Sequence, residues 1–353
     1  MSVVFAILLF SLLIFVHELG HFVTAKLFGV QVNEFSMFMG PAIFKKQVGQ
    51  TLYAIRCIPI GGYCAMEGED EDTDSPNSFQ KAAWWKRLII LGAGAFMNFL
   101  AGLLIFSILY LPVGQVADPV INQFADCCQF NHEAGLQLGD EIVELDGEKI
   151  YLNSDISMML QLNPTVNHDV VVLRNGQRLV FEDLPMAHTH VDENGQQYRH
   201  YGFSYGKVRN VNFWGRLENV WNVTIDNVRI VRLSLQMLLT GKASVTDVSG
   251  PVGIVQMMSD VAASSDTAKN AFLNLLSFGG MIAVNLAVMN LLPIPALDGG
   301  RIVGLLLTTG IEAVAKKKLN PKIEGYIHGA GMILLLALMA LIMFKDIFAI
   351  FKG

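Results

Sequence analysis

The chain has 353 residues, 52 % hydrophobic and 16 % charged, with a formal net charge of −6. Soluble domains are nearer one-quarter charged, so part of this chain belongs in a bilayer, and without a basic stripe it is not a nucleic-acid binder. Four cysteines (Cys57, Cys64, Cys127, Cys128), two of them adjacent and none in C-x-x-C, read as ordinary thiols rather than a disulfide framework or zinc knuckle.

The first apolar stretch, residues 3–16, is interrupted only by Ser11 and continues through "FVHELGHF" (15–22) to Ala25. It lacks a basic n-region and a small-x-small cleavage site, which predicts a retained span and not a signal peptide. Residues 30–66 hold β-leaning runs punctuated by Gly40-Pro41, Gly49 and Gly61-Gly62. Strands with unpaired backbone cannot face lipid, so a membrane-associated β-hairpin region tucked against the spans is expected. One of its edge strands is placed to receive an unwound substrate segment. The acidic knot at 67–74 reads as a solvated turn.

A second span covers 88–112, with Asn98 as its one strongly polar side chain. The insert that follows looks like a soluble module over 113–208. "EIVELDGEKI" (141–150) predicts a strand ending in a "DG" turn, 155–162 a short amphipathic helix, and "HDVVVLRNGQRLVFEDL" (168–184) a hairpin around Asn175-Gly176. The histidine-bearing run 187–200 reads as a solvated loop. Apolar residues at helical spacing over 213–242, with Trp214 and Trp221, predict an amphipathic helix at the membrane interface or packed on the spans. A third span covers 272–296, and a fourth runs from 329 to 344 and on to 351 past Lys345 and Asp346.

Basic residues concentrate in two short connections, 28–87 and 301–325, the latter with Lys316, Lys317 and Lys318. Both are therefore expected in the cytosol, with the N-terminus, the 113–208 module and the C-terminus outside.

His17-Glu18-Leu19-Gly20-His21 is H-E-x-x-H on a predicted helix, and residues four apart share one face, so both imidazoles reach one Zn²⁺. Glu18 is placed to take a proton from water made acidic by the metal. Near the bilayer centre each such charge costs at least about 2.5–3.5 kcal/mol, and a metal that neutralises the cluster offsets this. Catalytic zinc takes three protein ligands and keeps one position open. The candidate third ligand is Asp298 in "NLLPIPALDGG" (290–300), where Pro293 and Pro295 break the helix and Gly299-Gly300 allow a tight path. A turn or helix-cap role is the plainer reading of Asp298 taken alone. From Val3 to His17 the rise is about 21 Å, which places the histidines in the cytosolic third of the bilayer, the side at which Asp298 arrives.

H-E-L-G-H in the first span, N-x-x-P-x-P-x-L-D-G in a later one, and the A-G-L-x-x-G-D-x-I run from Ala134 resemble the site-2 protease family. The chain is more closely similar to its bacterial regulator-of-sigma-E protease group. Further matching runs are "IPIGGYCAMEGE" (58–69), "GAGAFMNF" (92–99), "SGPVGI" (249–254) and "IHGAGMILLLALM" (327–339). "SMFMGP" (36–41) departs from the glycine-richer run expected after the first span. The resemblance implies a polytopic α-helical membrane protein of about four transmembrane helices with one inserted PDZ-like domain. It implies an intramembrane zinc metalloprotease that cuts single-span membrane proteins, such as anti-sigma factors or signal-peptide remnants, in a bacterial plasma membrane. By position it implies His17, His21 and Asp298 as ligands, Glu18 as acid/base, and Asn290 and Asn98 as substrate-side amides. The PDZ-like module either binds an extended peptide or blocks large substrates. The expected organisation is 1–112, 113–208, 209–270 and 271–353. Rival readings are a zinc peptidase with a downstream glutamate ligand, and a non-catalytic PDZ-bearing receptor.

Overall fold

The computed structural model describes residues 2–69, 73–125, 135–191, 197–242, 250–315 and 321–352. Cys127, Cys128, Ala134, Ser249, Lys316, Lys317, Lys318 and the middle of the acidic knot lie outside the described residues, as do the side chains of the 188–200 run. In chain order, helix α1 (Ser2–Leu27) precedes strands β1 (Val32–Val48) and β2 (Thr51–Met66) and helix α2 (Trp84–Tyr110). Next come β3 (Gln115–Phe124), β4 (Glu141–Leu145), β5 (Glu148–Lys149) and helix α3 (Asn153–Leu162). Strands β6 (Asn167–Arg174), β7 (Gln177–Pro185), β8 (His188–Val191), β9 (Gln197–His200) and β10 (Phe203–Asn210) follow. The described chain closes with α4 (Phe213–Leu239), α5 (Pro251–Ala263), α6 (Ala268–Asn290), α7 (Asp298–Ala315) and α8 (Pro321–Lys352). It divides into two compact units, one of residues 1–106 with 227–353 and one of residues 107–226.

The first unit holds the membrane helices. Among the described residues, four segments are long and apolar enough to cross a bilayer: Val4–Leu27, Trp84–Tyr110, Ala268–Asn290 and Gly329–Asp346. Small residues set their spacing, as is usual where lipid gives no hydrophobic drive between helices. A Cβ on Gly20 would lie 2.4 Å from the Ala93 carbonyl oxygen, and one on Gly102 would lie 2.6 Å from Val284 Cγ2. Helices α1 and α2 therefore touch at Gly20, and α2 and α6 at Gly102. Ala6, Leu9 and Leu13 of α1 bury against Met258 of α5 and Ile282 and Ala283 of α6.

Two helices here were not expected from the sequence. Residues 301–315, within the connection 301–325, belong to α7, with Ile302 and Leu305 packed into the core behind α1 and the hairpin. Helix α5 was not expected at all. Its start is completed by a distant residue: the Gly250 and Gly253 N–H groups donate to Asp346 Oδ2 of α8 at 2.9 and 3.0 Å. Those are orphan donors of a helix N-terminus, and a carboxylate meets them with favourable charge as well. Asp346, which interrupts the fourth apolar run, is thereby explained.

Strands β1 and β2 form the expected hairpin, with bulges that fold it over on itself. Residues 34–37 pair with 62–65 on one side and with 52–55 on the other. The 62–66 segment has no further strand beyond it among the described residues. Arg56 holds the bend, donating to Ser36 Oγ at 3.0 Å, the Gly40 carbonyl at 2.5 Å, Glu34 at 2.5 Å and the Tyr63 hydroxyl at 2.8 Å. Phe35 and Cys64 turn inward, onto a core with Ala25, Ile90 and Leu91.

The second unit is built on an antiparallel sheet of order β10-β3-β4-β6-β7, with β5 paired to β4. Two turns have both central residues left-handed, Asp146-Gly147 (φ 51° and 79°) and Asn175-Gly176 (φ 51° and 79°). Their twist matches that of the flanking strands, which is why Asn-Gly and Asp-Gly pairs signal hairpins in sequence. Helix α3 lies against β3 and buries Ile156, Met159 and Leu160, while Ile142, Leu145 and Val172 of the sheet are buried as well.

Asp146 also gathers donors. Burial alone pushes its carboxyl up, but Asn163 Nδ2 and His168 Nδ1, each at 2.8 Å, and the Asp169 N–H at 3.0 Å hold it below the ordinary aspartate value. A lowered folded-state value stabilises the fold above the unfolded value, near 3.9, and that contribution disappears as pH falls through the folded one. Asp146→Asn keeps a residue tolerant of positive φ, removes the charge and turns one of the two acceptor oxygens into a donor. The thermal-stability gap between wild type and this variant is therefore expected to start narrowing near pH 4 and to keep narrowing as pH falls further. A gap independent of pH contradicts the assignment.

Candidate metal centre

Helix α1 carries the first part of the centre. His17 and His21 lie one turn apart on the face turned to α2, with ring centroids 4.8 Å apart and nearly perpendicular. Their Nε2 atoms converge to 3.2 Å. The second part comes from 277 or more residues away in the chain. Helix α6 stops at Asn290, and the turn through Pro293 and Pro295 brings the chain back at Asp298, the first residue of α7. The turn lies directly against the glycines that follow. A Cβ on Gly299 would stand 2.3 Å from the Leu291 and Leu292 carbonyl oxygens, and one on Gly300 would stand 2.3 Å from that of Ile294. Neither glycine has a positive φ, so what the motif needs there is clearance, not left-handed backbone. Arg301, one turn into α7, pairs with Glu69 and ties the start of this helix to the chain just after the hairpin.

Asp298 Oδ2 lies 3.2 Å from His17 Nε2 and 3.4 Å from His21 Nε2. It is buried and has no hydrogen-bond partner beyond those two rings. His17, His21 and Asp298 are the three side chains among the described residues whose ligand atoms meet in this way. Ligands held at about 2.0–2.1 Å in a tetrahedral shell are about 3.3–3.4 Å apart, the edge length found here. The donor set of two imidazole nitrogens and one carboxylate oxygen therefore fits a small divalent cation with one position left open.

The surroundings support the same orientation. His21 Nδ1 is 2.8 Å from the Ile90 carbonyl oxygen, so Nδ1 carries the proton and donates, which leaves the Nε2 lone pair facing the centre. His17 Nδ1 faces the amides of Asn98 at 3.5 Å and Asn290 at 3.4 Å. Glu18 is half-buried beside the histidines, and its carboxylate accepts the backbone N–H of Cys64 from the 62–66 strand. The hairpin and the candidate acid/base are thus in direct contact.

All six residues singled out in the sequence thus meet in one place. Three contributors were not singled out. The Ile90 carbonyl and the Cys64 N–H are backbone groups and leave no mark on residue identity. Gly94 did leave one, as a glycine inside the matching run "GAGAFMNF". A Cβ there would stand 2.4 Å from His21 Nε2, 2.6 Å from His17 Cε1 and 2.7 Å from His17 Nε2. Gly94 is the floor of the centre, and any side chain would occupy the space that the imidazoles need.

The profile of Peptidase family M50 matches residues 5–338. A Clostridium perfringens protein named provisionally as a zinc metalloprotease is 37 % identical over 352 residues, covering 98 % of each chain. A Fusobacterium nucleatum protein with the same kind of name is 35 % identical over 363 residues, covering both chains fully. The Bacillus subtilis regulator of sigma-W protease RasP is 29 % identical over 99 % of each chain.

Proposed function

This chain belongs to peptidase family M50, the site-2 proteases, and on that premise we propose that it is an intramembrane zinc endopeptidase with its centre at His17, His21 and Asp298. The observation that carries the proposal is the triangle of His17 Nε2, His21 Nε2 and Asp298 Oδ2, with edges of 3.2, 3.2 and 3.4 Å. The names of the relatives indicate which cation suits it. Zinc bound there supplies a Lewis acid for a carbonyl oxygen and makes water a competent nucleophile near neutral pH.

The residues of the chain do the rest. Glu18 accepts the proton of the attacking water as its oxygen bonds to the peptide carbon, and returns a proton to the nitrogen as the C–N bond breaks. The Cys64 N–H keeps the Glu18 carboxylate aimed. Asn290, at the broken end of α6, is placed to donate its amide to the substrate carbonyl. His17 and His21 are themselves buried, which shields their ligand nitrogens from bulk water.

The substrate class we propose is a single-span membrane protein whose helix has unwound locally. The outer edge of 62–66, with no further strand beyond it among the described residues, offers backbone partners to such a segment beside Glu18. The second unit has the strand and helix content of a PDZ-like module, and its role is to bind an extended peptide or to exclude bulky ectodomains. Four spans and the basic connections 28–87 and 301–325 favour a bacterial plasma-membrane protein with both termini and the second unit outside.

Purified chain in detergent, given a tagged single-span substrate, is expected to cut within the apolar segment. A chelator should abolish cleavage and zinc should restore it. Full cleavage by zinc-free protein, or cleavage confined to the ectodomain, contradicts the proposal.

A further inference from the structure

The two histidines of the centre are held differently at their far nitrogens. With Nε2 turned to the centre, Nδ1 must carry the proton, so each ring needs an acceptor behind it. His21 has the Ile90 carbonyl at 2.8 Å. His17 has no carbonyl; it has the side-chain amides of Asn98 and Asn290, placed with Nδ2 nearest, at 3.5 and 3.4 Å. Donor facing donor makes no bond.

Asn98 is the more informative of the pair. It is 1 % exposed, and its Oδ1 has no hydrogen-bond partner. As oriented, neither end of this buried amide is matched. The oxygen and nitrogen of an asparagine are nearly isosteric, and a half-turn about χ2 exchanges them without moving anything else. Turned, Asn98 presents Oδ1 to His17 Nδ1–H and makes one hydrogen bond where it made none. Burying an unmatched amide in hydrocarbon is costly, which favours the turned form.

We infer that Asn98 is a positioning residue for the metal centre: its Oδ1 accepts the His17 Nδ1 proton, fixing the ring so that Nε2 faces the cation. Asn98 lies four residues after Gly94, on the same face of α2. One face of α2 thus gives the rings room at Gly94 and fixes one of them at Asn98. This assigns the two asparagines separate tasks. Asn98 acts through His17, and Asn290, only partly buried, is left free for substrate. The inference rests on the reading of His17 as a zinc ligand.

The test compares Asn98→Asp, which keeps an acceptor oxygen and loses the donor, with Asn98→Leu, which keeps the volume and loses the acceptor. Zinc retention by the full-length purified chain is measured against a graded chelator, alongside helix content. Asn98→Leu should hold zinc about 10–100-fold more weakly, and Asn98→Asp should match wild type or exceed it. Kinetically, Asn290→Leu should lower kcat with zinc retention unchanged. Equal zinc retention by Asn98→Leu and wild type overturns the inference, and so does an Asn98→Asp variant that loses zinc as far as Asn98→Leu. If Asn98→Leu does not fold, Asn98→Ala replaces it with the same expected result. A wild type that holds no zinc removes the metal reading itself, which is a different failure.

Discussion

Replacing Glu18 with glutamine is expected to slow cleavage by about 10²–10⁴-fold while zinc stays bound. Glutamine has the same shape and can still accept the Cys64 N–H through its oxygen, so the hairpin contact survives. What is lost is the ability to take a proton from the attacking water. Glu18 is no part of the His17, His21 and Asp298 triangle, so the metal should remain. Paired measurements of cleavage and of zinc per chain separate the two effects. Undiminished turnover with zinc bound would remove Glu18 from the chemistry, and loss of zinc would make it a ligand.

The second large effect is expected at a residue with no side chain. Gly94→Ala places a methyl group 2.4 Å from His21 Nε2 and 2.7 Å from His17 Nε2, closer than carbon and nitrogen can approach. The neighbouring backbone is pinned, since Ala93 already touches Gly20 across the α1–α2 contact. The rings must therefore swing out of convergence. Loss of an outer hydrogen bond costs about 10–100-fold in metal affinity, and displacing a ligand should cost more. Intrinsic propensity argues the opposite way for the helix, because alanine is favoured over glycine by about 1 kcal/mol in a helix interior. The variant should thus keep its helical content and lose zinc together with cleavage. Wild-type zinc affinity in Gly94→Ala contradicts this close packing.

These two residues also mark how far the sequence can be read. His17, Glu18 and His21 were legible because helical spacing alone puts them together, and because ionisable groups in an apolar run need a reason. Asp298 was legible only as a partner, through two prolines and two glycines that break a span beside it. The turns at Asp146-Gly147 and Asn175-Gly176 were legible because few residues accept their positive φ. What stayed hidden depends on tertiary contact. Nothing local in Asp346 says that it completes the start of α5, ninety-odd residues earlier. The basic run after Ala315 drew attention from the apolar face of α7, whose Leu305 is buried. The folding-over of the hairpin, which sets the 62–66 edge beside Glu18, follows from bulges that have no residue signature beyond Gly40 and Gly61. The A-G-L run that suggested the PDZ-like module begins outside the described residues, and what the described residues show there is an antiparallel sheet with one short helix.

Zinc-edge X-ray absorption on the purified full-length chain is the most direct measurement of the centre. The expected spectrum shows one zinc per chain with two imidazole nitrogens and a carboxylate oxygen at about 2.0–2.1 Å, and Asp298→Ala removes the carboxylate contribution. A sulfur shell near 2.3 Å, a single imidazole, or a spectrum unchanged in Asp298→Ala would contradict the centre described here.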